Sequence, residues 1–415
     1  MNRIIQTIKS KKEKINDWLS SQEEPKELPL YSSVDVRDAG FKMAVVDTNL
    51  FPAGFNNLCE HGQADSVKYL KEAILDRVPH CRSILIVAEE HTRNTWYLEN
   101  IRVLEDIIRQ AGFNVMIATF LYVQPEFCND VQSIELETAT GQSLRIYCFQ
   151  RILKEIKADI KHFDLIILNN DLSIGIPDVL KEAEIPIYPS AQAGWHSRYK
   201  SIHFRHTHEL LGEFSKIVNL EPWFFSALSK VAEQININDD RDRQKLADMS
   251  SELFREIEAK YKEHGIKEKP YVVLKSDSGT YGMGVLPVED PQEIIDLNRK
   301  NKNKLYKGKG AQVIERYLLQ EGVPTIHKID DEISEVCLYQ IANHFAGAFF
   351  RSHPKKSARD NLNSQGMNFK KICPHPEQFL GCGTHCKELF DVYRTLGRIA
   401  SIAAQREIVE LETIK

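Results

Sequence analysis

An α/β fold of more than one domain, passing into α+β texture toward its C-terminal end, is what the 415-residue sequence predicts. Three stretches carry that expectation. Residues 83–120 run apolar strand, loop, helix, strand, with Leu98, Ile101, Leu104, Ile107 and Ile108 at helical spacing and Gly112 as the stop. Residues 163–190 repeat the theme, with a helix opening near Pro177 and a short strand ending at Pro189. Two such units in succession imply a small parallel sheet. From Tyr271 to about residue 370 the chain is β-branched and alternating, broken only by polar loops.

The flanking elements follow from the same patterns. Ile4, Ile5, Ile8, Ile15, Trp18 and Leu19 share one helical face, so the N-terminal segment reads as a helix packed on a core. Charge interrupts it too often for a signal peptide, and nowhere do the roughly 18 consecutive apolar residues of a membrane span occur. A cytoplasmic protein with no membrane partner is expected. Residues 201–265 are charged and periodic, a helical region in which QININDDRDRQ reads as a loop. KNKNKLYKGKG is a basic connector. The C-terminus from Glu388 forms one amphipathic helix with Leu389, Val392, Tyr393, Leu396, Ile399 and Ala403 on its buried side.

A hydrophobic share of 42%, a charged share of 27% and a net charge of -5 give no overall pull toward nucleic acid. Eight cysteines in a chain this long suit free thiols in a reducing compartment, so no disulfide is expected. The composition leaves oligomeric state open.

Chemistry enters with VVLKSDSGTYGMGV, residues 272–285. Lys275 ends a β-branched run, and the loop behind it is too rich in glycine to pack. Such a backbone is built to approach an anion closely. A P-loop places its lysine after the glycines, and a dinucleotide fold needs G-x-G-x-x-G after its first strand, where ILIVAEEHTRN has no glycine. Both are excluded. The order lysine, small polar residues, then G-x-G resembles the hairpin of the ATP-grasp superfamily, in which the lysine and loop hold a triphosphate. On that resemblance Lys275, Ser276, Asp277, Ser278, Gly279, Thr280, Tyr281, Gly282 and Gly284 are ATP-binding candidates. Gln320 and Glu321 in VIERYLLQEGV fit the strand that holds adenine and ribose.

A triphosphate in such folds is met by Mg²⁺ on hard oxygen ligands. Downstream of Arg351 no pair of acidic strands follows, because the chain ends in a helix. The pattern occurs instead at 34–57, VDVRDAGFKMAVVDTNLFPAGFNN: Asp35 or Asp38, a turn at Gly40, then Asp47 and Asn49. A hairpin with period-2 spacing sets Asp47 and Asn49 on one face beside the acid of the partner strand. The metal hairpin is therefore expected to be circularly permuted to the N-terminus.

Taken together, VDTNLFPAGFNNL, GWHSRYKSIHF, VLKSDSGTYGMGV, LQEGV followed by Thr325, and GAFFRSHP followed by NLNSQGMNF resemble the proteobacterial, ATP-grasp-like glutamate-cysteine ligases. The likeness spans about residues 34–370. It implies an ATP-grasp-like fold with a parallel-sheet pre-ATP-grasp domain, and ATP, glutamate and cysteine as small-molecule partners. The divisions expected are 1–79 for the N-terminal helix and permuted hairpin, 80–200 for the pre-ATP-grasp domain, 201–265 for a helical segment, and 266–415 for the nucleotide-binding region with the last helix. It implies that the γ-carboxylate of glutamate is phosphorylated by ATP and that the acylphosphate is captured by the amine of cysteine. Lys200 would add a second cation for ATP; Arg351, Lys275 and Arg37 would act at the reacting centre; Asn56, Asn57, Arg198, Asn361 and Asn363 would grip substrate. Two other readings stay open: a ligase joining glutamate to a different amine, and a nucleotide-binding regulatory protein without turnover. The cluster Cys373, His375, Cys382, His385 and Cys386 matches no standard zinc spacing and reads as a loop with incidental thiols. His203, His206 and His208 read as a helix surface.

Overall fold

The computed structural model describes residues 2–91, 93–120, 133–279, 284–306, 313–373 and 384–413, the last segment without side chains before 389. Helices Asn2–Ser10 and Lys12–Gln22 lead into β1 (Tyr31–Asp38) and β2 (Met43–Asn49), and helix Glu60–Arg77 follows. Then come β3 (Ser83–Ala88), helix Thr95–Gln110, β4 (Asn114–Thr119), β5 (Ser133–Glu137), β6 (Ser143–Cys148), β7 (Leu165–Asn169) and β8 (Ile187–Tyr188). Helix Lys200–Val218, β9 (Ser229–Ala232) and helix Asp240–Glu263 precede β10 (Val272–Ser276), β11 (Val285–Val288) and β12 (Tyr317–Glu321). The last elements are β13 (Lys328–Ile329), β14 (Glu332–Ile341), β15 (His344–His353), β16 (Asn368–Ile372) and helix Thr384–Thr413.

These strands form three sheets. β3 to β8 make the expected parallel sheet in the order β5-β6-β4-β3-β7-β8, with β5 alone antiparallel. β11-β10-β12-β9 is antiparallel, and so is β16-β15-β14-β1-β2, in which β13 also pairs with β14. The N-terminal hairpin thus completes a sheet whose other strands lie some 300 residues later, because β1 pairs with β14 from Tyr31↔Ile341 to Val36↔Val336.

Alternation along the strands decides what faces what. In β10, Val272 and Leu274 enter a core with Leu246, Leu253 and Ile257 of helix Asp240–Glu263, which sends Val273 and Lys275 to the opposite face. In β1, Val34 and Val36 join the largest core while Asp35 and Arg37 point away from it. That core also takes in the N-terminal helices and the C-terminal helix, where Leu389, Val392, Tyr393, Leu396, Ile399 and Ala403 are buried as expected.

Four expectations need correction. The stretch read as a loop inside 201–265 contains the start of helix Asp240–Glu263, because the Asp239 carboxylate accepts the N–H groups of Arg241 and Asp242 and caps it. β9, only four residues long, carried no strand signal of its own and exists because it pairs with β12. His203 and His206 are buried against the C-terminal helix and not on a helix surface; Glu407 receives the first and Glu410 the second. Cys148 is disulfide-bonded, whereas Cys59, Cys81 and Cys337 are free thiols; spacing along a chain does not reveal which thiols folding brings together. No helix among the described residues is long and apolar enough to cross a membrane.

Candidate active site

Between the β1–β2 hairpin and the β10–β12 face lies a cleft with about 760 Å³ of space, its open mouth included. Its wall includes Asp35, Arg37, Asp47, Lys200, Lys275 and Gln320. The hairpin's register brings the acids together: Asp35 pairs with Asp47 and Val36 with Val45, so Val46 is left over as a bulge. The carbonyl of Val46 accepts a hydrogen bond from Lys275 Nζ at 2.9 Å, joining the hairpin to the neighbouring sheet.

Two carboxylates directly opposed across a strand pair repel each other, so each needs a cation. Lys200 Nζ lies 2.7 and 2.9 Å from the two oxygens of Asp47. Arg351 donates to Asp35 at 3.0 Å and to Glu335 at 2.9 Å. Burial pushes the Asp35 carboxyl above its ordinary range and outweighs Arg351, with Glu335 and Asp47 adding to the rise. At Asp47 burial pulls the same way, but Lys200 and Lys275 overcome it and hold the carboxyl below its usual range. Burial lowers Lys275 to about 8 despite the attraction of Asp47. The cleft therefore holds its cations and acids in balance, and an incoming polyanion with its counter-cation can take over both halves of that balance.

The charge pattern continues across the sheet. Glu335 pairs with Arg37, whose other donors reach the carbonyls of Ala358 at 3.1 Å and Asp360 at 2.7 Å. Arg37 thereby fixes the loop that presents Asn361 and Asn363 to the cleft. Across the cleft, Lys275 Nζ also donates to Gln320 Oε1 at 2.9 Å. Glu321 lines the wall, yet its carboxylate already accepts from buried Lys42 at 2.9 Å, from the Trp223 indole and from the Leu228 N–H. The base of the glycine loop is anchored by Asp277. Its carboxylate accepts the Ser201 N–H at 2.8 Å and the Arg316 guanidinium at 2.6 Å, and its carbonyl accepts the Lys200 N–H. These bonds satisfy the first amides of helix Lys200–Val218 and set Lys200 at the cleft.

Residues 5–408 match the profile of the glutamate-cysteine ligase family. The chain belongs to that family. A provisionally named gamma-glutamylcysteine synthetase from Methylobacillus flagellatus KT, solved as a crystal structure, is 33% identical to it. The match covers 98% of this chain and 96% of that one with a TM-score of 0.86. D-alanyl-alanine synthetase A from Vibrio cholerae O1 is far more distant, at 11% identity and a TM-score of 0.33 over 76% of this chain and 81% of that one. No curated protein matches the chain. The protein is an enzyme, a ligase of glutathione biosynthesis.

Within this ligase, Asp35, Arg37, Asp47, Lys200, Lys275, Ser276, Gly279, Gln320, Glu321, Asn361 and Asn363 line one cleft. Thr280, Tyr281 and Gly282 lie outside the described residues. Ser278 lines the adjoining hollow with Trp195, His196 and Arg316, while Gly284 follows the loop in the left-handed region at φ 65°. Other candidates are placed elsewhere. Asp38 accepts the Gly40 N–H at 2.7 Å and faces His327, serving the hairpin turn. Asn49 closes its amide on the backbone of Phe51 in a local turn and does not line the cleft. Arg198 is buried, its fork on Glu407 at 2.8 and 3.0 Å and its remaining arm on the Thr48 carbonyl at 2.8 Å. Asn56 and Asn57 form a single 3-10 turn and do not line this cleft. Arg351 stands behind Asp35 and does not line it, and Asp277 is a strut. Sequence reasoning missed Lys42, Glu335, Tyr271 and Arg316; Glu335 lies within β14 and the other three directly precede β2, β10 and β12, and a lone charged or aromatic residue there gave no motif to find them by.

Proposed function

We propose that this cleft binds ATP and joins the γ-carboxylate of L-glutamate to the amine of L-cysteine, with the β1–β2 hairpin acting as a permuted metal-binding hairpin of an ATP-grasp-like fold. The observation that carries the reading is the convergence of Asp35 and Asp47, in register on one hairpin, with Lys275 and Lys200 at a single cleft. The parallel sheet β3–β8 corresponds to the pre-ATP-grasp domain in this reading.

In the first step a γ-carboxylate oxygen attacks the γ-phosphorus of ATP, the bond to the bridging oxygen breaks, and ADP leaves. In the second the cysteine amine attacks the acyl carbon, phosphate departs with the bonding pair, and the nitrogen gives its proton to solvent. No covalent enzyme nucleophile is needed, so positioning and charge neutralisation carry the catalysis. Lys275 and Lys200 hold phosphate oxygens at the base of the glycine loop. Arg37 and Arg351 act as positioning residues, the first through the loop bearing Asn361 and Asn363, the second through Asp35. Asn361 and Asn363 offer uncharged hydrogen bonds to the amino-acid substrate.

Asp35 and Asp47 present adjacent hard carboxylate oxygens to the cleft, a donor set that fits Mg²⁺; Asn49 and Asp38 do not join it. When bound there, the ion would neutralise triphosphate charge. Release of inorganic phosphate from purified protein, ATP, Mg²⁺ and glutamate, with and without cysteine, tests the proposal. Cysteine-dependent release is expected. Release only with a different amine would replace the acceptor, and none with any amine would refute the reading.

A further inference from the structure

The cysteine-rich stretch near the C-terminus has a counterpart at the other end of the chain. Cys59 Sγ, the His61 ring and Cys373 Sγ all lie within 4.8 Å of one another. Cys373 Sγ is 3.7 Å from His61 Nδ1, across 312 residues of sequence. Tetrahedral zinc with ordinary Zn–S and Zn–N lengths separates its sulfur and nitrogen ligands by roughly 3.6 Å. We infer that Cys59, His61 and Cys373 form a zinc site, distinct from the ligation cleft and independent of the reaction proposed there.

The supports of these ligands are already rigid. Cys59 is the N-cap of helix Glu60–Arg77, and its sulfur accepts the Gly62 N–H at 3.4 Å, a bond that a metal-bound thiolate keeps. Gly62 sits so close to β15 that a Cβ there would come within 2.8 Å of the Ala346 carbonyl oxygen. The helix start is thus pressed flush against that strand. Cys373 directly follows β16, whose last residue Ile372 pairs with Ala348 of β15. Both sulfurs are therefore carried by elements registered against the same strand, a first shell held by its scaffold.

Ligand type selects the ion. Two thiolates and an imidazole suit zinc and not magnesium, which takes hard oxygens. Three ligands among the described residues leave one tetrahedral position for a water or a fourth group. None of the three residues lines the cleft. Zinc here would clip the edge strand β16 to the N-terminal segment, and β16 continues from the loop that offers Asn361 and Asn363 to the cleft.

The test uses the full chain, reduced and stripped of metal, then given one equivalent of ZnCl₂ and passed through gel filtration without chelator. Wild type should retain about one zinc per chain, and Co²⁺ in its place should show thiolate-to-metal charge transfer with tetrahedral ligand-field bands. Exposed His61 allows His61→Ala without loss of packing. That variant, Cys59→Ser and Cys373→Ser should each bind zinc more weakly, by more than the roughly 10–100-fold that losing a supporting partner of a metal ligand costs. Cys81→Ser should bind like wild type. Equal zinc retention in wild type and His61→Ala, or a cobalt spectrum without thiolate charge transfer, overturns the proposal. So does a wild-type protein that holds no zinc and yields a Cys59–Cys373 disulfide on mild oxidation.

Discussion

The two carboxylates of the hairpin make the sharpest prediction at the residue scale. Asp47 faces Lys200 and Lys275, whereas Asp38 spends one oxygen on the Gly40 N–H and borders His327. Asp47→Asn should lower turnover at least about 100-fold, the loss of several kcal/mol of charge stabilisation, with a largely unchanged fold. Asp38→Asn, which can still accept the Gly40 N–H, should keep turnover within about threefold of wild type. Steady-state phosphate release with circular dichroism on both variants decides this, and equal losses would deny the hairpin its proposed role. Lys275 supplies a second expectation, because its ammonium must be charged to meet phosphate. Burial brings it to about 8, below its ordinary range, so in the free protein it loses its proton as pH rises through that value. The kcat/KM for ATP should then fall about tenfold per pH unit above it. The stability effect has the opposite sign: between about 8 and the unfolded value of 10.5 the unfolded chain binds more protons, so this group lets stability rise with pH. Lys42 is also lowered to about 8, but it is buried on Glu321 and does not itself line the cleft. Lys275→Arg separates the two, since arginine stays charged: the alkaline limb should move out of range in that variant, and a limb that stays would belong to another group.

At the scale of elements, what could be read from sequence and what could not divide along a physical line. The β1–β2 hairpin was legible because strand periodicity is local and Gly40 marks its turn, but which of Asp35 and Asp38 stands opposite Asp47 was not, because the bulge at Val46 shifts the register that the turn alone would set. Lys275 and its glycines were legible because their order along the chain is itself the chemistry. Arg198 was read as a substrate ligand because a basic residue beside a motif carries no sign of its partner, and Glu407 stands 209 residues away on the last helix. The strut role of the Asp277 side chain was hidden for the same reason: its partners Ser201 and Arg316 are distant in sequence and close only in the fold. Glu407 also receives His203, so one carboxylate ties helix Lys200–Val218 to helix Thr384–Thr413. Arg198 and Glu407 are both essentially inaccessible, at 1% and 0% side-chain exposure. Glu407→Ala should therefore cost about 3–5 kcal/mol, because it strands the Arg198 guanidinium in the interior. A urea titration of wild type and variant measures the loss; a change below about 1 kcal/mol would mean that solvent reaches Arg198 once the carboxylate is gone.

Across the whole molecule the decisive feature is that the cleft is shared by two sheets, one completed by the first strands of the chain and the other built from residues two hundred positions later. If the hairpin is the permuted metal-binding half of the site, nucleotide with Mg²⁺ must engage both sheets at once. Ligand at about 100 times its dissociation constant then adds roughly 2.7 kcal/mol to stability, and the local effect falls on whichever segments contact it. Hydrogen exchange with a non-hydrolysable ATP analogue should show new protection in two places together: the bulge at Val46 and Asp47, whose ladder pairing is interrupted, and the loop from Ser276 to Gly279. Omitting Mg²⁺ should weaken protection at the hairpin more than at the loop, because the acids of the hairpin meet the triphosphate only through a cation while Lys275 meets it directly. Protection confined to the loop, with the hairpin unchanged at saturating ligand, would leave Lys275 in a nucleotide site and remove Asp35 and Asp47 from it. The permuted arrangement would then fail while membership of the ligase family stood, and the metal ligands would have to be sought on another wall of the cleft.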